Sequence, residues 1–314
     1  MLNKNRGKKI IIIAGPTATG KTEIGFKLAK KFNGEIISAD SRLIYREITI
    51  GTDKPPEWMQ KNIPHYFIDI VSLNNDFNVF QFNKEAFFKT EDILKRGKLP
   101  IIVGGSGLYL RSLTKGLFSI PENTGEKQKE IRDKLNKEET ASLYEKLKEI
   151  DNKIAIKIHP SDKRRIIRAL EIYYLTGKKM SEWQKVKGEY YLEKLGNVYY
   201  FILKKEKEEI YKKIEERIER MLKYGWIEEV RKLLEKGYKK TLIEKGPIGY
   251  KEIILHIEGE ISFDEMVLMI KKRTKLFVKR QITWFKKEDG ILIDAKNEKK
   301  VIDEIIEISG LEKC

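Results

Sequence analysis

Apolar residues in the first third of the chain occur in short runs that alternate with amphipathic stretches. Ile10–Ala14 is a β-branched run that ends at a glycine-rich turn. The stretch after that turn repeats apolar residues at Ile24, Leu28 and Phe32, which form one face of a helix. The opening of the chain therefore predicts a buried strand followed by a helix.

Three further apolar runs continue this alternation, at Glu35–Ala39, His65–Val71 and Pro100–Gly104. Before the last of them, Phe80–Arg96 has helical periodicity, and Gly97 follows as a stop signal. Short apolar strands that alternate with helices are typical of a parallel sheet covered by helices. The pattern predicts an α/β fold.

The pattern changes character after residue 116. Glu126–Glu149 is highly charged, yet its apolar residues keep a helical spacing, and Lys163–Thr176 is a second helical stretch that is closed by Gly177. No strong strand pattern appears before Val198–Leu203. The middle of the chain is therefore predicted to be an all-helical insertion.

After the insertion the chain is predicted to return to the sheet through Val198–Leu203. Helices are then predicted at Glu206–Lys223, Trp226–Lys236 and Asp264–Lys287, and Ile291–Ile293 is a candidate edge strand. The predicted organisation is a core of residues 1–116 and 192–314 and a helical insertion of residues 117–191.

The charge balance bears on the partner of the protein. Among 314 residues, 64 are Lys or Arg and 48 are Asp or Glu, which gives a net charge of +16. Such a surplus favours polyanionic partners, because neutralised phosphates release their counterions. A charged, solvated surface without a dedicated partner is the alternative.

The single cysteine, Cys314, excludes an internal disulfide and a Cys-based metal site. The apolar run Ile10–Ala14 is too short for a signal peptide or a membrane span. We therefore expect a cytoplasmic protein that does not enter a membrane. We also expect a monomer.

Candidate chemistry begins with Gly15–Thr22, the phosphate loop, which reads G-P-T-A-T-G-K-T and fits the pattern G-x-x-x-x-G-K-[ST]. Glycines allow a sharp turn, so that backbone N–H groups face phosphate oxygens, and the following helix adds its positive end. Lys21 would supply a charge to the terminal phosphate, and Thr22 a hydroxyl to Mg²⁺. The loop predicts a P-loop NTPase-like sheet, but ATP, GTP or any diphosphate would suit it.

Asp40 follows the second predicted strand directly. Ligands of open α/β sheets bind at the carboxyl ends of the strands, so Asp40 should face the same crevice as Lys21. Its carboxylate could bind a metal ion or act as a general base. A helix N-cap is the structural alternative, for which the neighbouring Ser41 is better suited.

The fourth predicted strand ends in Gly104–Gly107, where Ser106 is the only residue with a side chain. A hydroxyl at that position could donate a hydrogen bond to a diphosphate. A tight turn between strand and helix would explain the same glycines without a ligand.

Taken together, these stretches resemble the tRNA dimethylallyltransferase family. The matching stretches occur in order along the chain, at Gly15–Thr22, Ile36–Arg42, Gly51–Pro55, Pro100–Tyr109, His159–Asp162, Arg164–Glu171, Ile248–Glu252 and Lys279–Phe285. The resemblance implies transfer of a dimethylallyl group from dimethylallyl diphosphate to N6 of adenosine 37, the base 3′ of the anticodon in tRNA. It also implies a P-loop fold and Mg²⁺ as cofactor.

The resemblance also assigns roles to residues. Asp40 would contact the adenine amine and act as the base, while Lys21, Ser106 and Arg217 would hold the diphosphate. The rest of the diphosphate site would come from the phosphate loop, through Gly15, Thr17, Ala18, Thr19, Gly20 and Thr22. Ser106 stands where the family usually has Thr, which keeps the hydroxyl.

Three stretches match tRNA-contacting segments of the family. They comprise Asp40, Ser41, Arg42 and Leu43; Arg164, Arg165, Ile166, Ile167 and Arg168; and Ile248, Gly249, Tyr250 and Lys251. Leu43 replaces a common Gln or Ala, and Gly246 a usual polar or basic residue. The helical insertion and the predicted helix Asp264–Lys287, with eight basic and two acidic residues, are expected to bind the anticodon stem-loop.

Other functions fit parts of the pattern. A prenyltransferase acting on free adenine nucleotides would share the phosphate loop, Asp40 and Ser106, but it has little need of the helical insertion or the positive charge. A small-molecule kinase would use His65–Asp69 as its metal-binding strand. A non-catalytic RNA-binding module would need none of Lys21, Thr22 and Asp40.

Overall fold

The computed structural model describes residues 7–117, 125–186 and 188–312, so Cys314 lies outside the described residues. It consists of two compact units, one formed by Met1–Thr114 with Tyr191–Cys314 and the other by Lys115–Tyr190. These bounds lie within two residues of the core and the insertion predicted from the sequence. No helix in the described ranges has the length and apolar character of a membrane span.

The first unit contains a six-stranded sheet whose neighbouring strands all run parallel, in the order β3-β2-β4-β1-β5-β6. Its strands are β1 (Lys9–Ala14), β2 (Gly34–Ser38), β3 (His65–Tyr66), β4 (Leu99–Gly104), β5 (Asn197–Lys204) and β6 (Ile291–Asp294). The α/β prediction is confirmed, including the edge position of the last strand.

Helices connect and cover these strands. In the first unit they are α1 (Lys21–Lys31), α2 (Glu57–Asn62), α3 (Val79–Lys95), α4 (Gly107–Lys115), α9 (Lys207–Lys223), α10 (Trp226–Glu235), α11 (Lys239–Lys245), α12 (Tyr250–Ile257), α13 (Phe263–Phe285) and α14 (Glu298–Ser309). Their ends follow local chemistry. Asn78 accepts hydrogen bonds from the first turn of α3, and Ser262 forms a capping box with Glu265 at the start of α13.

The core of the first unit lies against β1, the central strand on which the phosphate loop is built. Ile11 and Ile13 of β1 pack with Leu28 of α1 and Phe201 of β5, and all four are fully buried. Both ends of the phosphate loop are thereby fixed, since β1 precedes it and α1 follows it.

The third strand is shorter than predicted. Only His65 and Tyr66 pair with β2, whereas the sequence predicted a strand as far as Val71. Phe67 and Asp69 have positive φ angles of 65° and 56°, which an extended strand does not allow. The chain turns away from the sheet at this point.

The second unit contains α5 (Gly125–Asn136), α6 (Thr140–Ala155), α7 (Lys163–Thr176) and α8 (Met180–Trp183). The single helix predicted over Glu126–Glu149 is thus two helices, and α7 has the bounds predicted. Its core is apolar and includes Leu143, Leu147 and Leu170. All the secondary structure described for this unit is helical.

Candidate active site

The phosphate loop leaves the carboxyl end of β1 and enters α1 at Lys21. Gly15 and Gly20 have φ angles of 145° and 90°, which confirms that the glycines provide the turns. The Lys21 Nζ atom donates hydrogen bonds to the Pro16 carbonyl at 2.6 Å and to Thr19 Oγ1 at 3.5 Å. The lysine is therefore folded back over its own loop.

A cavity of about 520 Å³ opens at this edge of the sheet. Its lining includes the phosphate loop from Thr17 to Thr22, together with Asp40, Leu43 and Arg217. Asp40 follows β2 and Arg217 lies on α9, so distant parts of the sequence meet around Lys21. The predicted placement of Asp40 and Lys21 in one crevice is confirmed.

The electrostatics of the cavity centre on Lys21. Burial lowers the pKa of its ammonium group from 10.5 to about 8, and the nearby Arg217 acts in the same direction. The Asp40 carboxylate partly opposes this shift. A dianionic phosphate group would stabilise the buried ammonium group of Lys21 and offset its repulsion from Arg217. The site around Lys21 therefore favours an anionic ligand.

Asp40 does not begin a helix, because residues 41–44 form turns. Its Oδ1 atom accepts a hydrogen bond from the backbone N–H of Arg42 at 2.8 Å. That bond fixes the orientation of the carboxylate at the wall of the cavity. The suggestion that Ser41 caps a helix is wrong.

Ser106 lies next to the Asp40 turn. Its Oγ atom accepts a hydrogen bond from the Ser41 N–H at 3.0 Å, and its own N–H donates to the Ala39 carbonyl at 3.2 Å. The cavity lining includes Gly104 and Gly105 but not Ser106. The structure thus gives Ser106 a contact with the turn that carries Asp40, and its contact with a diphosphate stays a prediction.

Arg217 is held at the cavity by a segment that the sequence did not mark with a role. Its Nε atom lies 3.3 Å from Asp53 Oδ2, and its Nη2 atom donates to the Thr52 carbonyl at 3.4 Å. Arg220, one turn along α9, lies 3.4 Å from the same carboxylate. Asp53 therefore orients two guanidinium groups, and both line the cavity.

The Asp53 segment is in turn anchored by Glu229 of α10. The Glu229 carboxylate accepts hydrogen bonds from the N–H groups of Thr49, Ile50 and Gly51 at 2.9, 2.8 and 3.3 Å. The Tyr250 hydroxyl donates to it at 2.6 Å. One carboxylate thus fixes the turn that carries Asp53.

This anchor includes a residue of the stretch that was matched to tRNA contacts. Tyr250 is fully buried, and burial together with Glu229 raises the pKa of its hydroxyl well above 10.0. Gly249 beside it is also buried. The Tyr250 side chain is therefore closed off from solvent, whereas Lys251 is exposed and Ile248 is partly exposed, and the assignment of this stretch to tRNA stays a prediction.

Arg42 and Leu43, which belong to another stretch matched to tRNA contacts, lie beside Asp40. Arg42 is exposed, and its Nη1 atom donates to the Lys245 carbonyl at 2.7 Å, while Leu43 lines the cavity. The segment before α12 and the Asp40 turn are therefore adjacent. That places a basic side chain next to the turn that carries Asp40.

In the second unit, the predicted tRNA-contacting stretch lies on α7 and has two faces. Ile166 and Ile167 are 0% and 5% exposed and belong to the core of that unit, so their side chains do not reach solvent, and their assignment to tRNA stays a prediction. Arg164 and Arg165 are exposed. Arg168 donates to Glu171, the buried carboxylate of the same helix.

Glu171 is a structural anion. Burial alone would raise its pKa, but hydrogen bonds from Arg132 and Gln128, with the charge of Arg168, lower it below the usual value. The Nε and Nη2 atoms of Arg132 lie 2.9 and 3.1 Å from its oxygens. Arg168 is thus engaged within its own unit, which leaves Arg164 and Arg165 as the basic residues on this stretch that face solvent.

The basic helix α13 is also partly engaged by acidic neighbours. Lys275 lies 2.5 Å from Glu215, and Lys271 lies 3.2 Å from Glu219. Lys272 and Lys279 are exposed. The Arg111 guanidinium covers Trp284 and lies 4.1 Å from its ring centroid. This ring therefore packs within the protein and does not offer that face for stacking with a nucleobase.

A metal ion would enter the site with its ligand. Within the described ranges, His, Cys, Asp and Glu side chains form no group of three that could hold a metal ion. Thr22 lines the cavity from the first turn of α1. A hydroxyl at that place suits Mg²⁺ that is otherwise coordinated by phosphate oxygens and water.

The sheet order bears on the kinase alternative. The strand carrying His65 lies at the edge, separated from β1 by β2 and β4. The two neighbours of β1, β4 and β5, end in Gly104 and Lys204 rather than in an acidic residue. Asp69 pairs with Lys54 and does not line the cavity. The acidic strand that a kinase would need beside its phosphate loop is absent from the described residues.

Comparison with known proteins agrees with this geometry. The family model described as IPP transferase matches residues 43–288. The chain is 42% identical over 290 residues to a tRNA dimethylallyltransferase of Pelotomaculum thermopropionicum, covering 91% of this chain and 90% of the relative. It is 45% identical over 287 residues to a protein of the same name from Caldanaerobacter subterraneus, covering 90% of each.

Solved structures give the same result. A tRNA isopentenylpyrophosphate transferase of Staphylococcus epidermidis superposes with a TM-score of 0.69 at 34% identity, covering 97% of this chain and all of that one. A eukaryotic dimethylallyltransferase acting on tRNA superposes with a TM-score of 0.80 at 30% identity, covering 98% and 81%.

Proposed function

This chain belongs to the IPP transferase family, and from that membership we propose that it transfers a dimethylallyl group from dimethylallyl diphosphate to N6 of adenosine 37 in tRNA. One observation supports the proposal above all others. Lys21, Asp40 and Arg217 line a single cavity at the carboxyl edge of the sheet. An anion site and a carboxylate therefore share one opening, as a transfer from a diphosphate to an amine requires.

The leaving group is the first problem that the site must solve. As the allylic C–O bond breaks, negative charge grows on the diphosphate. The loop N–H groups and Arg217 are in place before reaction, and Lys21, whose Nζ is bonded to the Pro16 carbonyl in the free protein, would turn to the diphosphate when the ligand binds. Once the ligand is bound, these donors stabilise the growing charge. Mg²⁺, bound through the Thr22 hydroxyl, would supply further positive charge to the leaving oxygens. Loss of one such preorganised donor typically costs about 3 kcal/mol of barrier.

The nucleophile is the second problem, because the exocyclic amine of adenine is weakly nucleophilic. Asp40 presents a carboxylate whose Oδ1 is held by the Arg42 N–H at 2.8 Å. It orients the amine and accepts its proton as the new C–N bond forms. Ser106, through the Ser41 N–H, steadies the turn on which Asp40 lies.

The acceptor must bring an unstacked base into the cavity. A loop of single-stranded RNA does this at lower cost than a duplex, and RNA readers commonly target such loops. Arg42 and Lys251 in the first unit, and Arg164 and Arg165 in the second, are exposed cations that we assign to the anticodon stem-loop. The proposal also includes Mg²⁺ as cofactor, a cytoplasmic location and a monomeric protein.

A prenyltransferase acting on free nucleotides is the competing function. It would use the same cavity, but the helical unit and the net charge of +16 would then have no purpose. The relatives at 42% and 45% identity are named for tRNA, which favours the tRNA substrate.

The test is a paired turnover assay with dimethylallyl diphosphate and Mg²⁺. One reaction contains tRNA and the other AMP, and the nucleosides of each are analysed by mass. We expect N6-dimethylallyladenosine from tRNA, carried at position 37, and little product from AMP. Faster prenylation of AMP than of tRNA would overturn the assignment of the acceptor.

A further inference from the structure

A side chain of α13 reaches the phosphate loop from the other end of the sequence. The Oε1 atom of Gln281 accepts a hydrogen bond from the Thr17 N–H at 3.0 Å. Its Nε2 atom donates to the Gly105 carbonyl at 3.0 Å. Thr17 follows β1 and Gly105 follows β4, and these strands are neighbours in the sheet. One amide therefore links the two turns that form this side of the cavity.

These two hydrogen bonds of Gln281, called the bridge below, determine which groups of the phosphate loop can hold phosphate. The Thr17 N–H is already bonded, and Gln281 is only 7% exposed, so water does not readily replace it. The diphosphate cradle is then formed by the later part of the loop, up to Thr22. Only a side chain with both an acceptor and a donor can make the two bonds, and this explains why an amide stands here.

The surroundings hold the Gln281 side chain in place. A Cβ atom on Gly105 would lie 2.8 Å from Gln281 Nε2, so a residue other than glycine would displace the amide. Farther along α13, Trp284 packs against Gly107, where a Cβ would lie 2.2 Å from its Nε1. Arg111 covers Trp284 and pairs with Glu288. The end of α13 is thus locked onto the glycine turn after β4.

We infer that Gln281 is a positioning residue for the diphosphate, which fixes the phosphate loop against the turn after β4 in the shape that binds the ligand. This inference rests on the proposed function, because the ligand is the diphosphate of that reaction. It assigns a task to part of the stretch Lys279–Phe285. Gln281 acts through the loop and does not touch the reacting atoms.

The experiment compares wild type with Gln281→Met and Gln281→Glu. Methionine removes both hydrogen bonds without adding charge, and glutamate places an acceptor against the Gly105 carbonyl. The dissociation constant of inorganic pyrophosphate with Mg²⁺ is measured by calorimetry. KM for dimethylallyl diphosphate, KM for tRNA, kcat and the thermal midpoint are measured on the same preparations.

We expect both substitutions to raise the pyrophosphate dissociation constant and KM for dimethylallyl diphosphate by roughly tenfold, the loss expected for a buried donor or acceptor left unpaired. KM for tRNA should stay near the wild-type value, and kcat should fall much less than the affinity. A role limited to stability would instead lower the thermal midpoint and leave both KM values unchanged.

Gly105→Ala provides a second route to the same bridge. Its added methyl group should displace the amide and weaken pyrophosphate binding to a similar extent. In the double variant with Gln281→Met the two effects should not add, because each removes the same contact.

Two results would overturn the inference. In the first, wild type binds pyrophosphate and Gln281→Met binds it within about twofold of wild type, a difference too small for a lost buried hydrogen-bond pair. In that case a deficit confined to Gln281→Glu would reflect charge alone. In the second, wild type itself binds no pyrophosphate, which would refute the proposed diphosphate site together with the bridge.

Discussion

Diphosphate binding should weaken as pH rises through 8, because Lys21 then loses its proton in the free protein. Burial lowers the pKa of this lysine from 10.5 to about 8, Arg217 contributes to the same shift, and Asp40 opposes it. The charged form is the one that binds phosphate oxygens. Below pH 8 the free protein already carries that charge, and above pH 8 it must take up a proton when the ligand binds.

The magnitude follows from the pKa. With a value of about 8, Lys21 is about 90% protonated at pH 7 and about 10% protonated at pH 9. If the bound lysine stays charged, affinity falls about tenfold between these two pH values, and binding takes up about 0.9 proton at pH 9 against about 0.1 at pH 7. An ordinary lysine would show almost no change over the same range.

Calorimetry in pairs of buffers with different ionisation enthalpies measures both quantities. The ligand is dimethylallyl diphosphate with Mg²⁺ in the absence of tRNA, titrated at pH 7, 8 and 9. Asp40→Asn is the informative comparison, since it removes the charge that raises the pKa of Lys21, and should shift the onset of proton uptake to lower pH. Constant affinity and no proton uptake between pH 7 and 9 would refute the reasoning.

Three other predictions concern stability, tRNA binding and the Asp53 anchor. Hydrogen bonds from Arg96 and Lys98 lower the pKa of buried Glu35 from 4.5 to about 2. The ionised carboxylate therefore contributes about 3 kcal/mol to the free energy of unfolding above pH 4.5, and this contribution is lost as pH falls towards 2. Urea unfolding should therefore show wild type and Glu35→Gln converging at low pH, and an equal gap at pH 7 and pH 2 would contradict this. The tRNA dissociation constant should rise about a hundredfold between 50 and 200 mM salt if four phosphates are neutralised, whereas a flat response would exclude the electrostatic contact. Glu229→Gln should raise KM for dimethylallyl diphosphate about threefold or more, because a charged acceptor of several hydrogen bonds is lost. Tyr250→Phe removes only one donor and should raise this KM less. Equal KM values for Glu229→Gln and wild type would show that the Glu229 anchor does not act on Arg217.

Elements with strong periodicity were predictable from the sequence. The helix α7 has the predicted bounds, because an Asp162 N-cap and a Gly177 C-cap enclose a regular apolar face. The chain turns out of β3 at Phe67, whose positive φ leaves no mark on an apolar run. The sequence analysis did not predict helices α2, α4, α8, α11, α12 and α14. All of these except α14 have nine residues or fewer, so that a helical repeat is hard to detect in them.

The candidate site divides in the same way. Lys21 and Asp40 were predictable, since Lys21 ends the loop that follows β1, Asp40 lies just after β2, and parallel strands place their carboxyl ends together. Gln281 was not, because its contact joins residues 264 positions apart and depends on how α13 packs. Glu229 likewise acts across 178–180 residues. A sequence pattern marks the residues that face a ligand more readily than those that hold them.

The most direct measurement of the proposed chemistry is the single-turnover rate of Asp40→Asn with tRNA already bound and dimethylallyl diphosphate in excess. The account predicts a rate at least about tenfold below wild type, the usual loss for a missing general base, together with tRNA affinity close to wild type. A near-normal rate would mean that the amine loses its proton without Asp40 and would contradict the assigned mechanism.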